Sequence, residues 1–372
     1  LLKLTLAAAL LLAAPTARAQ VESMEMRAAF FDQTGHGYQS VDGPPSGPGS
    51  EDALIFEPLF QLRFKQDESW SHTVTLAVDI VSNASIDAID AVSTASAVNE
   101  AASLDVTSSH KDDLGRLDLR YGVHFEEPMR SFFLGGGYAW SLADDNFTLA
   151  LSGLATFDFF DDVTRFGRQD GLVDRQSLNG NLALSQVLSP TTLLDASYGV
   201  TLQTGVLQTT YNSVPLDGGG RGDEIFPSGR RVRHALAARL AQHVPWTATT
   251  LKASYRYYRD DYHLEAHTAE GMLYQYLCDW LYLRASYRYH WQSGVDFFAT
   301  HFATTVAPGP ETSDSDLAPL RAHELGLKAV LLAERSPWAG LHDSFIEASV
   351  YHYFRSNDLR VTWLTLAFGR RF

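Results

Sequence analysis

The chain has a single cysteine, Cys278, in 372 residues. That leaves no disulfide framework and no thiolate metal cluster, and without a C-x-x-C-H motif any redox cofactor must come from a partner. Beyond the first two dozen residues there is no long uncharged apolar run, so no transmembrane helix is expected. Positive charge is scarce: 29 Lys and Arg stand against 44 Asp and Glu, for a net charge of −15. That balance argues against nucleic acid as a partner. There is no G-x-S-x-G, no H-E-x-x-H and no phosphate loop. No Ser–carboxylate set accompanies His234 or His352, so the sequence does not read as an enzyme and implies no cofactor.

What is present is a leader, a rhythm of period two and many aromatic residues. Leu1–Ala19 has an early Lys3, an apolar run from Leu4 to Ala14 and an Ala17-Arg18-Ala19 cleavage motif. It reads as a secretory signal peptide, with the mature chain expected from Gln20 to Phe372 as one domain of net charge −17. The final stretch, Leu359–Phe372, places Leu364, Leu366, Phe368 and Arg370 on one face and Thr365, Ala367 and Gly369 on the other. A strand sends alternate side chains to opposite faces. An alternating last strand that ends on Phe372 is the pattern expected to present an outer-membrane barrel to the assembly machinery. The other reading of this strand is the edge of a soluble sheet, which the leader disfavours.

The same alternation runs through the chain. Phe56, Phe60, Leu62 and Phe64 oppose Glu57, Gln61 and Arg63; Leu281, Leu283, Tyr287 and Tyr289 oppose Arg284, Arg288 and His290. About sixteen strands of some ten residues follow, the length a tilted membrane strand needs. Long polar loops are expected at Gly35–Asp52, Asn83–Ala97, Asp161–Asp174, Gly205–Gly229 and Gly294–Leu320. Short turns are expected at Ser189–Thr191, Asp260-Asp261 and Cys278-Asp279. The expected fold is an all-β, antiparallel, up-and-down transmembrane barrel with both termini periplasmic, in the outer membrane of a Gram-negative bacterium. Its surroundings would be outer-membrane lipid and lipopolysaccharide.

Several stretches, in order, resemble a family of bacterial outer-membrane barrels known as domain of unknown function 3570. They are Asp79–Ser85 (DIVSNAS), Leu184–Pro190 (LSQVLSP), Arg231–Ala235 (RVRHA), Tyr255–Asp261 (YRYYRDD), Ala266–Glu270 (AHTAE) and Tyr287-Arg288-Tyr289 with Gln292. The resemblance implies fold and compartment and brings no activity with it.

Alternation also assigns a lumen. Arg233, Arg239, Lys252, Arg256, Arg284 and Arg288 form an expected basic sector, opposed by an acidic wall of Glu57, Asp79, Asp118, Asp195 and Glu347. Such walls would make a transverse field that sorts solutes by charge. The plainer reading is a water-facing wall whose charges cluster incidentally. His263, Glu265 and His267 share a strand face. A two-residue turn at Cys278-Asp279 would set His290 opposite His267, giving a candidate zinc-type site near the mouth. The competing reading is that these groups simply bond to water and neighbours. A two-residue turn at Asp260-Asp261 would likewise pair Arg256 with Glu265 and point Glu270 at lipid, which calls for a bulge between His267 and Glu270. Two functions remain open: a channel for small hydrophilic solutes, or a scaffold or sleeve for another envelope protein, possibly a redox one.

Overall fold

The computed structural model describes residues 20–35, 52–83, 98–126, 129–164, 167–207, 213–227, 229–303, 309–333 and 343–372. The leader and the connection at 334–342 lie outside them, as do most of the loops at 35–52 and 83–97. Among the described residues the chain is almost entirely strand, and no helix is long and apolar enough to cross a membrane. The strands are β1 (Gln20–Gly35), β2 (Ala53–Lys65), β3 (Trp70–Asn83), β4 (Val98–Lys111), β5 (Gly115–Glu126) and β6 (Met129–Leu142). β7 (Phe147–Thr164), β8 (Gly167–Ser189) and β9 (Thr192–Gly205) follow. β10 (Ser213–Pro215) and β11 (Arg221–Asp223) form a small hairpin of their own. β12 (Arg230–Val244), β13 (Thr249–Asp260), β14 (Glu265–Cys278), β15 (Leu281–Gln292), β16 (Leu320–Leu332), β17 (Ser344–Arg355) and β18 (Leu359–Arg371) complete the chain.

Sixteen of these strands close into one antiparallel barrel, each hydrogen-bonded to its sequence neighbours apart from the small hairpin, with β1 zipped to β18. Closure leaves no edge strand to satisfy. It also sets the two ends of the described chain side by side, Ser23 opposite Arg371. That end, the terminal end, carries turns such as Gln66–Ser69 and Asp112–Leu114; the long loops rise from the other, the loop end.

Side-chain alternation divides inside from outside cleanly. Large apolar residues stand exposed on the outer face, among them Leu134 (62%), Leu236 (56%), Leu325 (52%) and Leu366 (57%). A water-soluble barrel could not leave such a band bare, whereas a bilayer covers it. Outward aromatic residues mark the terminal end, where Trp70 packs on His110 at 4.7 Å and Tyr138 on Trp140 at 5.0 Å. The inner face is polar and kept open by small residues. Three lumen-facing rings lie flat on the wall over cross-strand glycines: Phe133 over Gly122, Tyr351 over Gly326 and Phe345 over Gly369. A Cβ at Gly326 would come within 2.4 Å of both the Tyr351 ring and the Ser286 hydroxyl.

Three expectations are corrected. The charged stretch 161–174 is largely the tip of a long hairpin, because β7 and β8 continue their ladder far beyond the neighbouring strands. The β13–β14 turn is longer than two residues: Arg259 pairs with Glu265, and Asp260–Leu264 lie between. The polar loops after β9 and β15 are not loose. Residues 213–227 fold against 293–303 and 309–319 through backbone bonds between Ile225 and Glu311 and between Phe302 and Pro215. Phe226, Tyr262, Leu264 and Val295 form the buried core of this cap, joined by Phe297. Segment 314–318 lies on the lumen side of the mouth, since lumen-facing Gln292 donates to the Asp316 and Ala318 carbonyls and Arg355 pairs with Asp316 at 2.6 Å.

Candidate functional site: the barrel lumen

The lumen wall is built from alternate residues of every barrel strand, so register decides which charges meet. Ladder pairs set Arg233, Arg239, Lys252, Arg256, Arg284 and Arg288 all on the inner face, over β12, β13 and β15. Asp118, Asp195, Glu57 and Glu347 share that face. Asp79 pairs with Ala101 in the ladder, and its side chain lies outside the described residues.

Three of the acidic positions, Asp195, Asp118 and Glu347, are drawn into local ion pairs. Asp195 accepts from Arg239 Nη2 at 2.7 Å and from the Ser185 hydroxyl at 2.7 Å. Asp118 accepts from Arg116 at 3.0 Å and from the Ser109 hydroxyl at 2.6 Å. Glu347 pairs with Lys328 and lies 3.9 Å from Arg27. The same pattern recurs at Asp105 with Arg120, at Asp158 with Arg175 and at Glu22 with Arg63. Acid and base alternate on neighbouring strands because each inward charge lowers its own desolvation cost most by pairing across a ladder.

The basic side has an excess. Arg239 is paired with Asp195, and Arg288 sits 3.8 Å from Glu324. Arg284 donates to the Tyr351 hydroxyl, and its buried Nε has no partner. Lys252 lies over the Tyr274 ring at 4.6 Å and Arg256 over Tyr258 at 5.5 Å. The Arg233 Nε is also buried without a partner. Among the described residues none of Arg233, Lys252, Arg256 and Arg284 forms an ion pair. Sequence reasoning missed Glu270, Glu324, Lys328 and Arg27. The inward alternation of β16, Glu324-Gly326-Lys328, could have revealed two of them.

The metal reading fails at two hairpins: the β13–β14 turn has five residues, and β14–β15 turns at Asp279-Trp280, not at Cys278-Asp279, with Cys278 opposite Leu281 and a bulge between Tyr276 and Cys278. One residue of slip moves a strand's whole set of side chains to the other face. His267 pairs with Trp291, faces outward and is hydrogen-bonded to the Tyr255 hydroxyl at 2.5 Å. His290 faces inward opposite Thr268 and bonds to its hydroxyl at 2.8 Å. Glu265 faces outward beside Arg259, and His263 sits in the turn against Asp296. Among the described residues no group of three or more His, Cys, Asp or Glu is arranged to hold a metal ion. The same shift overturns the Arg256–Glu265 pair, since Arg256 is opposite Thr268. Glu270 points into the lumen opposite Arg288, and the bulge expected beside it is not formed.

Two cavities open off the lumen. One of about 750 Å³ lies toward the terminal end and is bordered by Arg63, Lys65, Arg116 and Arg120, with Gly137 and Ser152 leaving room. The other, about 350 Å³, is bordered by Arg288, His290, Glu324, Tyr353 and Trp363.

A closed antiparallel barrel with an apolar outer face and a charged, hydrated interior has the architecture of outer-membrane β-barrels. Within that class the chain belongs to the family described as protein of unknown function DUF3570, whose sequence profile matches residues 100–336. No curated protein matches the sequence. Similar solved structures include Pseudomonas aeruginosa OccK7 (OpdD), at 10% identity over 96% of this chain and 99% of that one, with a TM-score of 0.48. A loop L8 deletion mutant of OmpT, an outer membrane protein of Vibrio cholerae, is 9% identical over 95% and 99%, with a TM-score of 0.46. OprD from Pseudomonas aeruginosa is 12% identical over 95% and 94%, with a TM-score of 0.44. At these values the likeness carries no solute and no mechanism over to this chain.

Proposed function

We propose that the protein is an outer-membrane channel for small hydrophilic solutes, oriented with its terminal end in the periplasm and its lumen favouring anions. The observation that carries the preference is the set of four inward cations, Arg233, Lys252, Arg256 and Arg284, that have no carboxylate partner among the described residues. A guanidinium facing a narrow aqueous path is stabilised by water or by a passing anion, because dry burial costs several kcal/mol. Of the inward acids nearby, Glu324 is held by Arg288, whereas Glu270 has no ion pair among the described residues and offsets one of the four charges, which leaves the sector net positive to set the field. Acidic residues at the loop end oppose it at the mouth, over a screening distance of about 8–10 Å.

The test is the reversal potential of purified protein in a planar bilayer under a salt gradient. Anion selectivity is expected for the wild type, and a marked loss of it for Arg256→Ala combined with Arg284→Ala. No conductance at all would refute the channel and favour a scaffold role. Cation selectivity that the double substitution leaves unchanged would refute the role given to these four side chains.

A further inference from the structure

Four successive strand pairs carry the same device on the outer face, just below the loop end. The Tyr198 hydroxyl on β9 forms a hydrogen bond to His234 Nδ1 on β12 at 2.8 Å. Tyr255 on β13 does so to His267 on β14 at 2.5 Å, and Tyr287 on β15 to His323 on β16 at 2.8 Å. On the last pair the Thr362 hydroxyl of β18 stands in for the phenol, 2.9 Å from His352 Nδ1 on β17. The three tyrosines reach their histidines by the same diagonal, two residues along from the ladder partner. A hydroxyl donating to Nδ1 leaves the imidazole proton on Nε2. Among the described residues Nε2 of these four rings has no partner, so each ring presents an open nitrogen outward, a donor in the tautomer whose Nδ1 accepts from the hydroxyl.

Above this row stands a second one. Arg230, Arg259, Arg321 and Arg360 face outward on β12, β13, β16 and β18, and all are exposed. Arg321 lies two residues nearer the loop end than His323, roughly 7 Å at 3.3 Å per residue. Arg259 and Arg360 have loose carboxylate neighbours, Glu265 at 3.7 Å and Asp358 at 3.8 Å. Arg230 and Arg321 have no ion pair among the described residues. Below the histidines the wall turns apolar, at Leu236, Leu325, Leu327, Leu364 and Leu366. The belt spans six strand spacings from β12 to β18, about 29 Å at ~4.8 Å each. Among the described residues, the other half of the outer rim carries Asp32 and Asp174, with Arg130 opposing them at comparable positions.

We propose that this sector is a docking surface for the phosphorylated glycolipid of the outer leaflet, a lipid A-type headgroup. Acyl chains would lie on the leucine band, phosphates between the guanidinium and imidazole rows, and sugar hydroxyls, which donate or accept, against the open Nε2 atoms. Charge complementarity selects the occupant. A neutral or zwitterionic lipid does not need four guanidiniums on one side of a barrel whose overall charge is negative, and guanidinium binds phosphate oxygens in a fork. The inference rests on the outer-membrane orientation proposed above.

The experiment measures binding of bisphosphorylated lipid A, and of the same lipid with its phosphates removed, to purified protein in non-ionic detergent. The wild type is expected to bind the phosphorylated form about tenfold more tightly, a difference near 1.4 kcal/mol. Arg230→Gln, Arg259→Gln, Arg321→Gln and Arg360→Gln together should abolish that ratio, while the four Arg→Lys replacements, which keep the charge, should retain much of it. Equal binding of the two lipids by the wild type overturns the proposal, and needs no variant to fold. So does a full ratio in the glutamine variant. Membrane fractionation separates the two readings: protein recovered outside the outer membrane sinks the orientation, whereas equal lipid binding by outer-membrane protein sinks the belt alone.

Discussion

Asp260 ties the loop end together through one carboxylate. Its Oδ2 accepts from Arg231 Nε at 2.9 Å and from the Tyr258 hydroxyl at 2.9 Å, and its Oδ1 accepts from the backbone N–H of Tyr262 and Leu264, each at 3.0 Å. Arg231 in turn lies over the Tyr262 ring at 4.4 Å. Four donors around one buried carboxylate fix a five-residue turn where a tight pair would otherwise form. Asp260→Ala strands a buried guanidinium and two N–H groups, so a loss of about 3–5 kcal/mol is expected in reversible urea unfolding. A variant within 1 kcal/mol of the wild type, about a fivefold change in equilibrium constant, would show that water replaces those bonds.

At the scale of the element, the cap and the register of β14 both give expected outcomes. Asp314 caps the short 3₁₀ turn at Ser315–Leu317 by accepting from the Asp316 N–H at 2.8 Å. Burial, then the nearby Asp316 carboxylate, pushes its carboxyl up from 3.8 to about 6, while Arg355 and Arg231 pull against the rise. The folded chain therefore holds this proton over a range where the unfolded chain has lost it. Its contribution to cap stability is full below about pH 4, falls as pH rises through 6 and is level above that. Protection factors at 313–318, that is, exchange corrected for its intrinsic pH dependence, should be higher at pH 5 than at pH 7.5 in wild type, and Asp314→Asn should remove most of that difference. Register is checked with single cysteines in a Cys278→Ser background. A cysteine at Glu270 should react with a membrane-impermeant thiol reagent through the lumen, while one at Ala269 should not; the reverse pattern would restore the shorter turn.

For the whole molecule, the question is how far the folded loops restrict the path. Segment 314–318 is held on the lumen side by Gln292, by Arg355 with Asp316, and by Asn357, which donates to the Ser315 carbonyl at 3.3 Å. Sixteen strands enclose a width far larger than a small solute, so in the proposed channel the loops and long side chains, more than the wall, decide what passes. Replacing residues 296–316 by a short Gly-Ser linker should raise single-channel conductance at least about twofold and leave the strands intact by circular dichroism. Unchanged conductance would locate the narrowest point lower down, near the Arg284–Tyr351 contact.

The sequence by itself determined the wall. Alternation and turn residues reported the strand count, the greasy outer face and the inward position of Arg233, Arg239, Lys252, Arg256, Arg284 and Arg288, because a side chain's face depends only on its own strand. The DUF3570 resemblance was legible for the same reason, in short runs of consecutive residues. Only the tertiary structure decided who meets whom. The partner of Arg256 and the faces of Glu265, His267 and Glu270 relative to β13 hung on whether one turn had two residues or five, a turn tied by bonds from Asp260 to groups before and after it in the chain, while the separation of His267 from His290 hung on the next hairpin, which turns at Asp279-Trp280 after a bulge. Part of the acidic wall dissolved into local pairs because Arg239 and Asp195 are 44 residues apart in sequence yet adjacent in the ladder. The cap was equally invisible, since loops rich in Gly, Pro and Ser read as solvent-exposed until Phe226, Tyr262 and Phe297 are brought together by strands that lie far apart along the chain.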